Sequence, residues 1–140
     1  MLNSMRAQRV LGLSKSLCTF FLIGFLVAPA FGQQELELRK IEYLISSIAD
    51  LNGAVFIRNG KEYDSPRAAD HLRLKLRYAG GRVKTAEDFI VYCATGSSIT
   101  GMAYQIKFAD GRIVAAAAFL RDRLIVYAAQ EQNVPQTGDQ

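Results

Sequence analysis

One segment, residues 56–75 (FIRNGKEYDSPRAADHLRLK), holds the side chains best suited to chemistry. It contains the only histidine of the sequence, His71, and Lys75 follows four residues later, one helical turn away. An imidazole titrates near neutral pH, which suits proton transfer or pH sensing. The alternative is a histidine hydrogen-bonded to a loop carbonyl, which would lock a hairpin to a helix. Since the chain has no second imidazole, we favour this structural role.

The other reactive residue types form no recognisable catalytic arrangement. Cys93 could act as a nucleophile with His71, but it shares a helix face with Phe89 and Ile90, which favours a buried thiol. A zinc site usually takes three or four ligands, and after residue 32 the chain has one His and one Cys. We therefore predict no metal and no cofactor.

A loop rich in hydroxyl groups, GSSITG, spans residues 96–101. Its serines lack the pattern of a nucleophile elbow. We interpret Ser97, Ser98 and Thr100 as a loop that hydrogen-bonds to itself, as short hydroxyl side chains often do in turns.

Positive charge is concentrated between Arg58 and Lys84, where eight basic residues outnumber three acidic ones, a local balance of +5. Such a segment could hold a carboxylate or a phosphate, or it could be a solvated helix face. The predicted binding patch comprises Arg58, Asn59, Tyr63, His71, Lys75 and Tyr104.

Three functional hypotheses follow from these residues. The first is a non-catalytic binding or interaction module whose patch recognises a partner protein or a small anionic ligand. The second is a hydrolase or transferase that uses His71 with Lys75 or a loop serine. The third is a structural homodimer through Ala115–Ala118, because small residues let helices approach closely. The residue types favour a non-catalytic protein over an enzyme.

Residues 1–32 have the pattern of a secretory signal peptide. Three basic residues precede an uncharged apolar run at 17–28, and Ala28, Ala30 and Gly32 have the small-residue spacing of a cleavage site. The run is short for a membrane-spanning helix, which needs about 18 apolar residues. We expect cleavage after Ala30 or Gly32 and a periplasmic location, with membrane attachment only where the leader stays uncleaved.

Loss of this leader changes the charge of the protein. The whole chain carries 17 basic and 13 acidic residues, and the leader removes three basic ones, so the remainder is 14 − 13 = +1. The pI near 9.2 therefore owes much to the leader. A nearly neutral domain lacks the uncompensated basic surface that nucleic acids require, so we predict no nucleic-acid partner.

The periodicity of apolar residues predicts an α+β fold, with three to four helices around a small antiparallel sheet. Asn59-Gly60 is a strong hairpin signal because both positions must tolerate positive φ. We place the Val55 and Ile57 side of the first strand on the core. The predicted elements are helices at 35–51, 66–79 and from Thr85 to Cys93, strands at 54–58, 61–64 and 104–108, and a last helix at 113–130.

The start of the last helix is open. Asp110-Gly111 could return a brief fourth strand before the last helix. Residues 33–130 are assigned to a single domain, and residues 131–140 to a disordered tail.

Three segments in order, FIRNGKEYD, AADHLRLKLRYAGGRVKTAEDFI and SSITGMAYQIKFADGR, resemble a family of small exported bacterial proteins of unknown function. The resemblance covers about Ile41 to Leu124 and implies an α+β domain outside the inner membrane. That family has no established activity, so it assigns no catalytic role. The matching residues are Arg58, Asn59, Gly60, Tyr63, His71, Lys75, Thr85, Phe89, Ser98, Gly101 and Tyr104.

Overall fold

A computed structural model describes residues 28–133 of the protein. It confirms the α+β class, with helices packed against a four-stranded antiparallel sheet. Most of the predicted leader and the tail from residue 134 lie outside the described residues, so the leader stays a prediction. The elements are α1 (Ala28–Ala49), β1 (Val55–Arg58), β2 (Lys61–Asp64), α2 (Ser65–Ala79), α3 (Ala86–Phe89, continuing as a π-helical turn over Ile90–Ala94), β3 (Gln105–Lys107), β4 (Ile113–Ala115) and α4 (Ala116–Gln132).

The β1–β2 hairpin forms at the predicted turn. Arg58 pairs with Lys61 across it, and Asn59 and Gly60 both have positive φ, 50° and 74°. These left-handed conformations match the twist of the flanking strands. β3 pairs with the other edge of β1, and β4 pairs with β3, so the strand order is β2-β1-β3-β4.

The predicted core face of β1 is wrong. Phe56 is 3% exposed, whereas Val55 and Ile57 are only partly buried. Phe56 pairs with Ile106 on β3, and both belong to the core formed with the helices. Burial of one large aromatic side chain can remove enough apolar surface from water to outweigh the burial of two smaller aliphatic ones. Because side chains alternate along a strand, this choice places Phe56 on the core face and turns its neighbours to the other face. Arg58, two residues after Phe56, therefore shares the helix-facing side of the sheet.

α2 begins and ends where its sequence signals predict. Asp64 accepts a hydrogen bond from the amide of Arg67 at 2.9 Å, and Pro66 occupies the first turn. At the other end Gly80, with φ of 53°, closes the helix. Ala69 and Leu72 of the inward-facing stripe are fully buried. His71 and Lys75 lie on the neighbouring stripe, where they are partly exposed and can make polar contacts.

α1 contributes a buried stripe of Ile41, Leu44, Ile45 and Ile48 to the core. It begins at Ala28, seven residues before the predicted start at Glu35, and so includes the positions at which cleavage is predicted. None of the helices in the described range 28–133 is both long and apolar enough to cross a membrane.

The C-terminal third confirms the fourth strand that the sequence left open. β4 covers Ile113–Ala115, and α4 follows without a loop and ends at Gln132, two residues into the predicted tail. The predicted helix start at Ile113 is wrong because this residue pairs with Lys107 on β3. The amide of Ala116, the first residue of α4, donates to the carbonyl of Tyr104 at 2.9 Å, which fixes the start of the helix beside the end of the sheet.

Candidate functional site

Five of the six predicted patch residues lie in one network, which we term the His71 cluster: Arg58, Tyr63, His71, Lys75 and Tyr104. They come from β1, β2, α2 and the residue before β3. Arg58 lies in the cluster because the helix-facing side of β1 is the Phe56 side. His71 and Lys75 reach it from one stripe of α2.

His71 bridges the sheet and the start of β3 through both ring nitrogens. Arg58 Nη1 lies 2.7 Å from His71 Nδ1, and His71 Nε2 lies 3.3 Å from Tyr104 Oη. A guanidinium can only donate, so Nδ1 must be the acceptor. The ring is therefore neutral with its proton on Nε2, from where it donates to the Tyr104 hydroxyl.

Lys75 holds the loop that precedes β3. Its Nζ donates to the carbonyl of Gly96 at 2.7 Å and lies 4.9 Å from the centroid of the Tyr104 ring. Gly96 is required there, because an added Cβ would lie 2.7 Å from the Met102 carbonyl oxygen. The Lys75 ammonium thus connects α2 to a loop in which the backbone of Gly96 packs against that of Met102.

A small cavity opens beside Arg58 and His71, with a volume of about 160 Å³. The Arg58 guanidinium stacks over the Tyr63 ring at 5.0 Å. Arg67 also reaches the cavity, but it pairs with Asp64 at 3.7 Å and is largely exposed. The cavity is lined by Phe56, Arg58, Tyr63, Arg67, Ala68 and His71.

The His71 cluster carries positive charge that the described part of the chain does not neutralise. Within residues 28–133, no carboxylate lies within 4.0 Å of Arg58 or Lys75. Burial, and then the charges of Arg58 and Lys75, lowers the pKa of His71 below its ordinary 6.5. Burial also lowers the pKa of Lys75 and raises that of Tyr104. A nearby anion would counteract the lowered pKa of His71 and of Lys75, because it favours their protonated forms, and it would keep the Tyr104 hydroxyl protonated.

Asn59, the sixth predicted residue, has a different role. Its Oδ1 accepts a hydrogen bond from Thr100 Oγ1 at 2.7 Å, which ties the hairpin turn to the hydroxyl-rich loop. Ser97 Oγ accepts from the amides of Ile99 and Thr100, both at 3.3 Å. The loop therefore hydrogen-bonds to itself, as its composition predicts.

Sequence reasoning missed Phe56, Arg67, Ala68 and Gly96 at this site. The apolar wall formed by Phe56 and Ala68 has no polar signal that could have marked it. The four-residue spacing of Arg67 and His71 was visible, but it did not show that the two residues share a cavity.

Cys93 is fully buried beside Ile90, and burial raises the pKa of its thiol. A reactive cysteine needs a lowered pKa and access to substrate, so the geometry opposes a Cys93–His71 nucleophile. Among residues 28–133, no three His, Cys, Asp or Glu side chains come together as a candidate metal site.

A larger groove of about 630 Å³ lies at the start of α1, between Leu38 and Val83. Its one carboxylate, Glu37, is already bound by the Ala86 amide at 2.8 Å and by Lys40 at 2.7 Å. The groove is bigger than the cavity beside His71 and is also lined by polar residues, namely Gln33, Gln34, Lys84 and Thr85. We place the candidate site at the His71 cluster because two cations, an imidazole and two phenol rings contact one another there.

These features define a small α+β domain with a cationic, aromatic cluster on the helix-facing side of its sheet. The chain belongs to DUF5329, a family of unknown function whose model matches residues 35–128. It is similar to the uncharacterized protein YfeK of Salmonella typhimurium, with 40% identity over 68 residues. That match covers 49% of this chain and 57% of the relative. No solved structure matches the chain. The resemblance to a family of unknown function is thereby confirmed, and any function must be argued from the site.

Proposed function

We propose that this protein is a non-catalytic, exported binding module whose His71 cluster holds the anionic group of a small ligand or of a partner protein. The observation that carries the proposal is that two cations flank a neutral histidine and its tyrosine partner. Arg58 is bound to His71 Nδ1, and Lys75 lies over the Tyr104 ring whose hydroxyl His71 contacts. No carboxylate of residues 28–133 lies within 4.0 Å of either cation. Like charges held this close favour an anion between or beside them.

Three contacts favour binding over catalysis by the same residues. Both nitrogens of His71 are engaged, so neither is free to accept a substrate proton. Lys75 is bound to the Gly96 carbonyl, and its charge fixes a loop. The hydroxyl of Ser97 serves the turn that contains it. A general base needs an acceptor within reach of the substrate, and this cluster offers donors.

The homodimer hypothesis receives less support than the binding hypothesis. Ala116 is fully buried and Ala117 is 9% exposed, so half of the proposed alanine surface packs inside the domain. Ala115 and Ala118 are exposed but leave little area for a helix–helix interface.

Nuclear magnetic resonance can test anion binding directly, because an untagged protein has a single histidine. We expect acetate and inorganic phosphate to shift the ring-proton signals of His71 in a saturable manner. Arg58→Gln should abolish saturation, whereas Arg77→Gln, which removes an exposed charge from α2, should not. Signals that fail to respond to either anion in the unaltered protein would overturn the proposal.

Export is tested separately by expressing the full chain in bacteria and measuring the mass of the protein recovered from the periplasm by mass spectrometry. We expect a mass that lacks residues 1–30 or 1–32. Full-length protein held in the membrane or the cytoplasm would refute this part of the proposal without affecting anion binding.

A further inference from the structure

The cavity beside Arg58 has apolar walls and a charged rim, which suits a ligand with an apolar part and a charged group. Phe56 and Ala68 are 3% and 2% exposed and form apolar wall, and the Tyr63 ring forms another side. Arg58 and His71 line it with polar atoms, as does Arg67, which is paired with Asp64. Its volume of about 160 Å³ is well below the ~300–1,000 Å³ of sites for drug-sized ligands. The cavity therefore fits a fragment about as large as one side chain.

The Arg58 guanidinium has one edge engaged and one edge available. Nη1 is bound to His71, while Nε is shielded from solvent and has no acceptor among the described residues. Nε–H and the adjacent Nη2–H point in parallel, which is the geometry that a carboxylate accepts in a bidentate manner. Because Nε is shielded from solvent, binding at this edge requires the guanidinium to rotate above the Tyr63 ring, 5.0 Å away, and that rotation is part of the inference.

From these two observations we infer that the ligand is a carboxylate that carries a short apolar group, either as a free acid or as the C-terminal residue of a peptide. The inference rests on the proposed anion-binding function and specifies its chemistry. The carboxylate pairs with the free edge of Arg58, and the apolar group fills the space between Phe56, Tyr63 and Ala68. Inorganic phosphate would accept hydrogen bonds from the guanidinium but would leave the apolar walls of the cavity exposed to water.

The test is a titration of the unaltered protein with a graded set of compounds, followed by calorimetry and by the His71 signals. The set is acetate, butanoate, N-acetyl-leucine, N-acetyl-leucinamide and inorganic phosphate. We expect butanoate, N-acetyl-leucine or both to bind about tenfold or more tightly than acetate, because each buried methylene adds to transfer from water. The amide, which lacks the carboxylate, should not bind. Preference for butanoate assigns a free acid, and preference for N-acetyl-leucine assigns a peptide terminus.

The outcomes separate this inference from the proposed function. If acetate, phosphate and the larger carboxylates bind equally, anion binding holds and the apolar specificity is refuted. If the amide binds as tightly as N-acetyl-leucine, the carboxylate contact with Arg58 is refuted. If none of the compounds binds, both proposals fail.

Variants of the cavity locate the binding. Arg58→Lys retains the charge but loses the parallel donors, so carboxylates should bind at least tenfold more weakly, and Arg77→Lys should change nothing. Ala68→Val narrows the cavity and should reduce the advantage of butanoate over acetate. Since Ala68 is buried, Tyr63→Leu, a change at a partly exposed wall, provides a second test of the same advantage. An unchanged preference in both folded variants would overturn the inference.

Discussion

His71 links the sheet to the start of β3, so its replacement should lower the free energy of unfolding by a predictable amount. His71→Ala removes the acceptor of Arg58 Nη1 at 2.7 Å and the donor to Tyr104 Oη at 3.3 Å. A hydrogen bond to a charged group contributes about 1.5–3 kcal/mol, and a long neutral one contributes much less. Partial exposure of the ring lets water replace some of the loss. We therefore expect a destabilisation of about 2 kcal/mol.

For a domain of this size, such a loss lowers Tm by about 8–16 °C. Thermal and urea unfolding of the purified domain at pH 7.5 measure it, with Arg77→Ala as the exposed control on the same helix. His71→Asn places an amide oxygen near the position of Nδ1, so it should retain the Arg58 contact and lose less than half as much. If His71→Ala unfolds like the control, or if Ala and Asn cost the same, the Arg58–His71 bond does not stabilise the domain and our reasoning is wrong.

Three further predictions concern the same region. Because the pKa of His71 lies below 6.5 in the folded state, the unfolded chain binds more protons as the pH falls. The free energy of unfolding should therefore decrease as the pH drops through 6.5 towards the folded pKa, and it should be fully restored above 6.5. Urea titrations between about pH 5 and 7.5 measure this dependence, which His71→Asn should remove. Lys75→Met loses the bond to the Gly96 carbonyl and should cost about 1–2 kcal/mol relative to Arg77→Met, since relief of lysine burial offsets part of the loss; equal melting curves would contradict this. Gly96→Ala drives a Cβ against the Met102 backbone and should cost about 1–3 kcal/mol in the same assay, whereas the matched Gly81→Ala, with open space around it, should be nearly neutral.

Local signals in the sequence were sufficient for most of the elements. Asn59-Gly60 fixed the hairpin, and Thr85, the predicted start of the third helix, forms a capping box with Asp88 through bonds of 3.0 Å. These signals work because their partners lie within a few residues. The core face of β1 depended on Ile106, fifty residues away, and alternation within β1 alone favoured the wrong side.

The candidate site was predictable as a set of residues but not as a geometry. Spacing on one helix stripe selected His71 and Lys75, and the basic segment 58–84 selected Arg58. The Tyr104 contact joins residues 33 apart, and the cavity wall at Ala68 has no polar signature. Asn59 was part of the predicted patch, yet its side chain binds the loop at Thr100. Long-range pairing of strands decides such contacts, and a single sequence does not show it.

Because Cys93 is buried, its thiol can serve as a natural probe of unfolding. A thiol reagent can reach the sulfur when the helices part, so the labelling rate of a leaderless chain reports how often the interior opens. Comparing that rate with and without a bound compound would show how strongly occupancy at the sheet slows the opening of the helical side. The natural sequence supports this measurement without any engineered label.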